Sequence, residues 1–388
     1  MNEPLFVYCL KVNSFVKFVI VMGELIKPQI LTFTEESTDI TLFDCRWVPC
    51  STRFVVTGTH PKGHGVLRVY TMGERGGITQ LANLEREKHP IKCVTFGATS
   101  LADRRPATGD FGGNIDVWDL ESKASIWQVK GHTSMINAID GIGGGATSSS
   151  SVDIGAPELV TGSRDGTVKV WDVRVKDKPV ACMQPGEGAQ TRECWSVAFG
   201  NASNTSDRMV AAGFDNGDVK LFDLRTMTLH WETHVSNGVC SVAFDRSDIK
   251  MNKLAATCLE GRVHMWDLRT RHPKEGYAEW SEKIEKQNHT IWGGRFLRQN
   301  RELLVTMGGG GAITLWKYTY PVGGRSKKHP KDDMDMGVAG KLQKLQDSQI
   351  SEQPVSALDW SPDKMGLAVT TAFDQKIRLI IVTKLNTL

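Results

Sequence analysis

A chain of 388 residues with net charge +3, 40% hydrophobic and 23% charged residues is long enough for two or three domains and apolar enough to bury a core. So small a net charge argues against nucleic acid or an acidic membrane surface as partner. Cys 8 in the composition gives no pair or cluster at zinc spacing, so no metal is expected, and a reducing compartment is.

Residues 1–24 stand apart as an N-terminal extension. The apolar run Leu5 to Val21 is interrupted by Lys11 and Lys17, which a membrane span does not tolerate at its centre. It also lacks the charge-first layout and small-residue cleavage site of a signal peptide. Met22, followed by Gly23-Glu24, is an alternative start. Residues 25–388 are expected to form one repeated domain with an insertion at 321–352. An isolated strand, Pro28 to Thr34, leads into it.

From Thr41 the chain repeats a unit of short alternating strands. The clearest copy is ELVTGSRDGTVKVWDVR, Glu158 to Arg174. Val168 and Val170 share one strand face, Thr167, Lys169 and Trp171 the other. Asp165-Gly166 reads as the tight hairpin turn, with positive φ at both central residues. The unit closes on Trp171-Asp172, and Gly131-His132 lies upstream. Equivalent closing residues are Tyr70, Trp118, Trp171, Phe222, Trp266, Trp316 and Ile380, about 44 to 64 residues apart, which is a repeat of ~40–45 residues lengthened in its loops. Gly-His followed by Trp-Asp at that period resembles the WD40-repeat family. The resemblance implies an all-β fold: a seven-bladed WD40 β-propeller. The seventh unit lacks an outer strand, and Gln29 to Thr34 is expected to supply it and close the ring, hiding sheet edges.

Two interruptions stand out. Gly141 to Gly155 is Gly/Ser-rich and reads as a flexible loop. Pro321 to Asp335 carries Arg325, Lys327, Lys328 and Lys331 before Asp332, Asp333 and Asp335. It reads as a mobile, solvated insertion, after which Val338 to Ile350 returns as the outer strand of blade six.

His132, Ser163, Asp165 and Trp171 have the residue types of a hydrolase triad with an aromatic neighbour. Their spacing instead fits the buried hydrogen-bond network that ties the strands of such blades together, each bond contributing ~1 kcal/mol. Nothing marks a nucleophile elbow or oxyanion hole. Gly308 to Gly311 lacks the Lys-Ser/Thr of a phosphate loop and reads as a turn. No catalytic residue, metal or cofactor is assigned.

Aligning the units places Phe43, Lys92, Asn137, Trp195, Cys240, Trp292 and Ser356 at one first-strand position, and Phe111, Arg164, Asp215, Leu259 and Phe373 just before the turn Asp or its substitute. These residues share one face. Trp, Phe and Arg dominate protein interfaces, so Trp195, Trp292, Phe111, Phe373 and Arg164, with Lys92 and Asp215, are the candidate partner-binding rim.

Segments such as FDCRWVPCSTRFVVTG (43–58), IKCVTFGATS (91–100), ATGDFGGNIDVW (107–118), INAIDGIGG (136–144) and NGVCSVAFDRSDIKMNKLAAT (237–257) resemble one branch of the WD40 proteins, the axonemal dynein assembly factors. The resemblance implies a cytoplasmic, monomeric, non-catalytic scaffold. Its partners would be RuvB-like AAA+ ATPases and prefoldin-like co-chaperone subunits, with dynein chains as clients before they enter cilia and flagella. A competing reading is the substrate receptor of a cullin–RING ubiquitin ligase. It rests on the Trp/Phe-Asp-x-Arg endings, whose adaptor contacts would be Arg174, Arg225 and Arg269.

Overall fold

The computed structural model describes residues 8–12, 15–19, 27–73, 76–142, 156–175, 177–202, 206–284 and 289–387. Alternation of apolar residues over short runs, punctuated by turns, gives seven four-stranded antiparallel sheets arranged as a propeller. Blade three is Ile136–Ile142, Glu158–Ser163, Val168–Trp171 and Ala181–Met183, in that order from axis to edge. The other blades follow the same path, with inner strands Thr41–Trp47, Ile91–Phe96, Cys194–Gly200, Val239–Phe244, Ile291–Leu297 and Val355–Trp360.

Ile30–Ser37 pairs antiparallel with Lys376–Val382 and forms the outer strand of blade seven. The chain thereby joins its beginning to its end, and the edge that blade seven would expose is covered. A separate hairpin, Tyr8–Val12 with Phe15–Val19, pairs with no blade. Of the loop expected over Gly141 to Gly155, Gly141 and Ile142 instead end the strand Ile136–Ile142, and 143–155, like Met22, lie outside the described residues.

The core is built between blades rather than within them. Seven apolar clusters each draw on two neighbouring blades. The cluster joining blades seven and one, for example, packs Leu42, Phe54 and Tyr70 with Val369, Ile377 and Leu379. A single sheet has two apolar faces and no partner for either, so each blade depends on the next.

Two details differ from the sequence expectation. Gly166 has φ +80 but Asp165 is not among the positive-φ residues, and Gly166 N–H closes the turn on the Ser163 carbonyl at 3.1 Å. The turn therefore runs from Ser163 to Gly166, because the Asp165 carboxylate must stay within reach of Thr167 N–H, at 3.0 Å.

The insertion, expected to be mobile, is ordered. Ser326–Lys328 and Asp335–Gly337 form a hairpin that packs on blade five. Arg325 Nε donates to Asp267 at 2.6 Å and Arg325 Nη1 to Asn252 at 2.7 Å, while the Tyr320 ring lies 4.7 Å from the Arg325 guanidinium. A local charge count misses these partners because they lie far away in sequence. Lys341–Gln349 then returns as the outer strand of blade six.

Candidate functional site

Every inner strand carries a β-bulge near its start, and the bulged residues are Phe43, Lys92, Asn137, Trp195, Cys240, Trp292 and Ser356. A bulge leaves its residue out of the ladder and re-aims the side chain. Repeated in all seven blades, it sets a ring of non-pairing side chains around the channel mouth.

Blades seven, one and two make this mouth aromatic. Phe43 lies 5.6 Å from Phe111 and 6.5 Å from Phe373, centroid to centroid. Phe111 and Phe373 are each 38% exposed, and Lys92 Nζ sits 5.1 Å over the Phe43 ring. Stacked and edge-on aromatic pairs of this kind are worth ~1 kcal/mol beyond their buried area. The trio is thus a preformed patch rather than three loose side chains.

Blades three and four make a polar sector. Arg164 pairs with Glu193 at 2.8 Å, and Glu193 also accepts the Trp195 indole N–H at 3.2 Å. Trp195 is half-buried and lies over Gly238, where a Cβ would meet its ring at 2.6 Å. Asp215 N–H donates to the Glu193 carbonyl at 3.0 Å, and its carboxylate Oδ1 is buried without a partner. Trp292 in blade six is 43% exposed. The proposed rim residues therefore share one face but fall into an aromatic sector, a polar sector and a lone tryptophan.

Below the mouth the inner strands tie blade to blade. Asp44 Oδ2 accepts Val94 N–H at 3.0 Å, Asp140 Oδ2 accepts Phe199 N–H at 2.9 Å, and Asp359 Oδ2 accepts Trp47 N–H at 2.9 Å. Ser196 does the same for Val242 N–H at 2.9 Å. Arg46, beside Asp44 at 2.8 Å, has its guanidinium pushed up: burial opposes its charge, and Asp44 and Asp359 outweigh that. Burial pushes the Asp140 carboxyl up. Asp140, Arg46 and Arg295, from blades three, one and six, feel one another's charge, so charged groups of several blades meet near the axis.

The network of blade three passes through a residue that the sequence reading missed. His132 Nε2 meets Thr161 Oγ1 at 2.7 Å, and the Trp171 indole N–H donates to the same oxygen at 2.9 Å. His132 Nδ1 lies 3.1 Å from Asp165. Ser163 is turned elsewhere, donating to the Met135 carbonyl at 2.9 Å and accepting Asp165 N–H at 3.1 Å. His132 and Ser163 are buried, and Asp165 is held by His132 and Thr167. Burial lowers the His132 imidazole. Burial opposes the Asp165 charge, but its hydrogen bonds from His132 and Thr167 prevail and hold the carboxyl far below its usual range. A buried Ser Oγ spent on a carbonyl is no nucleophile.

The opposite face carries the Asp-x-Arg endings. Arg174 and Arg225 pair locally with Asp172 and Asp223, at 2.6 Å and 3.8 Å. In blade five Asp267 is taken by Arg325 instead, and Arg269 Nε turns to Asn252 at 3.3 Å. The three endings differ in their pairing: Arg174 and Arg225 keep their own Asp, while Arg269, still exposed, has lost Asp267 to Arg325.

Among the described residues one group converges like metal ligands: His272, His329 and Asp332. His272 Nδ1 accepts N–H groups of Lys274 and Glu275 at 3.3 and 3.1 Å. Its proton therefore sits on Nε2, directed at Asp332 at 3.2 Å. Hydrogen bonds from His272 and His329 outweigh burial and bring the Asp332 carboxyl down to about 2. A metal would need the Nε2 lone pair; in this tautomer the cluster is a clasp for the insertion. No helix among the described residues is long and apolar enough to cross a membrane.

Comparison with known proteins agrees with this architecture. The family model "WD domain, G-beta repeat" matches residues 123–172, the segment containing the blade-three network. The chain is 55% identical over 361 residues to "Dynein axonemal assembly factor 10" of Homo sapiens, covering 93% of this chain and 98% of that protein. It is 49% identical to the protein of that name from Chlamydomonas reinhardtii, with the same coverage. The Dictyostelium discoideum protein is 25% identical over 370 residues. On this identity and coverage, the chain belongs to the dynein axonemal assembly factor 10 family of WD40-repeat proteins.

Proposed function

We propose that this chain is a non-catalytic, monomeric scaffold in the cytoplasmic assembly of axonemal dyneins for cilia and flagella. The name carried by its relatives supports the process. The observation that carries the mode of action is the preformed aromatic patch of Phe43, Phe111 and Phe373 at the channel mouth. Exposed aromatics on a rigid, closed ring suit protein docking. In this reading the rim grips one protein of the assembly machinery: RuvB-like AAA+ ATPases, prefoldin-like subunits, or a dynein chain as client.

The ligase-receptor reading needs the Asp-x-Arg arginines free on the opposite face. In blade five Arg325 takes Asp267, so the Asp–Arg pairing of that ending is lost, although Arg269 stays exposed. Affinity capture from ciliated cells separates the two. Dynein heavy chains and RuvB-like ATPases, lost with Phe111→Ala/Phe373→Ala or Trp195→Ala/Trp292→Ala, support the scaffold. Ligase adaptors, lost with charge reversal at Arg174, Arg225 and Arg269, would replace it.

A further inference from the structure

This inference rests on the docking rim and concerns the chemistry of what docks there. Lys92 sits at the mouth with its ammonium over Phe43, and among the described residues no carboxylate lies within 4.0 Å of it. Arg295 lies three residues past the Trp292 bulge, deeper in the ring, where the charges of Asp44, Asp359 and Asp140 oppose its repulsion by Arg46. The nearby carboxylates are committed elsewhere: Asp44 to Arg46 and Val94 N–H, Asp140 to Phe199 N–H, Asp359 to Trp47 N–H. Burial pushes the Lys92 ammonium down, and Arg46, then burial, does the same to Arg295. Lys92 is thus a half-buried cation with no ion pair among the described residues, and an incoming anion at the mouth would give it one.

We propose that the channel mouth receives an extended acidic–apolar segment of a partner protein. Its bulky apolar side chain rests on Phe111, Phe43 and Phe373. A neighbouring carboxylate pairs with Lys92. A second copy of this chain fits poorly, because each copy carries net charge +3 and two mouths would oppose Lys92 to Lys92. A nucleic acid fits poorly because Asp44, Asp140 and Asp359 line the channel beneath and would repel a polyanion.

Selection of a displayed library of random peptides on the full-length protein tests this. In parallel, the selected peptides are measured against Lys92→Glu and Phe111→Ala/Phe373→Ala, with melting temperatures confirming that both variants fold. The selected peptides are expected to pair an aromatic or aliphatic residue with Asp or Glu. They should weaken by about tenfold or more on Lys92→Glu, a close charge pair being replaced by repulsion, and also on Phe111→Ala/Phe373→Ala. Peptides lost on Phe111→Ala/Phe373→Ala yet basic or uncharged would overturn the acidic chemistry and leave the rim standing. Peptides bound equally by all three proteins, or no peptides at all, would overturn the rim as well. Competition by a single-stranded oligonucleotide, or a concentration-dependent dimer abolished by Phe111→Ala/Phe373→Ala, would assign the mouth to another occupant and overturn the proposal.

Discussion

The backbone N–H of Trp47 donates to the carboxylate of Asp359 at 2.9 Å, and the Trp47 indole N–H donates to the Asp359 carbonyl at 3.1 Å. These two bonds join the inner strands of the first and last blades. Asp140 makes the equivalent tie to Phe199 N–H inside the ring. Asp359→Ala should cost ~1–3 kcal/mol by leaving Trp47 N–H buried and unpaired, and Asp140→Ala should cost a similar amount. Urea denaturation of both variants checks this. A loss at Asp140 with none at Asp359 would mean that the ring is not closed by this bond.

Thr161 serves His132 and Trp171 at once, whereas Thr108 in blade two serves only the Trp118 indole, at 2.8 Å. Thr161→Val should therefore destabilise the protein more than Thr108→Val, by ~1 kcal/mol, the net worth of one further hydrogen bond. Equal midpoints in denaturant would refute the hub role of Thr161.

The same network sets a pH dependence. The folded His132 has its pKa below the ordinary 6.5 of an imidazole because burial disfavours the cation. Its contribution is complete above about pH 6.5 and is lost as pH falls toward the lowered value, since the unfolded chain takes up the proton first. Asp165 is held below its ordinary 3.8, so its contribution persists down to about that pH and is lost only under more acid conditions. Melting temperatures at pH 7.5 and pH 5 (values on the order of the unfolded His pKa, above and below it) should differ less in His132→Gln than in the native sequence. An unchanged difference would show that His132 does not titrate on unfolding in this window.

Arg325 anchors the insertion through Asp267 and Asn252. Arg325→Ala should loosen the hairpin while the disc stays folded. Trypsin should then cut after Lys327, Lys328 or Lys331 about tenfold faster, the rate following the open population, where tenfold is ~1.4 kcal/mol. Cleavage at the native rate would mean that the hairpin is held by its other contacts.

Much of this architecture is legible in the residues themselves. Period-2 runs ending in Trp171-Asp172 and its relatives mark the blades, and the missing outer strand of blade seven points to Gln29 to Thr34. Aligning the repeats also finds Phe43, Lys92, Trp195 and Trp292 as equivalents. That they sit at bulges is not legible, because a bulge breaks the alternation by which a strand is recognised. Thr161 does have a signal in the sequence: a threonine stands ten residues before the tryptophan in blades two, three and six, and each pair is hydrogen-bonded. The docked insertion was hidden because the partners of Arg325 lie in blade five, while its immediate neighbours in sequence are those of an ordinary solvated loop.

The most direct measurement is the dynein content of axonemes from ciliated cells in which the native protein is replaced by the Phe111→Ala/Phe373→Ala variant. With the variant folded and expressed at native level, dynein arms should be depleted. Axonemes carrying a full complement of arms would contradict a mouth that holds the assembly machinery.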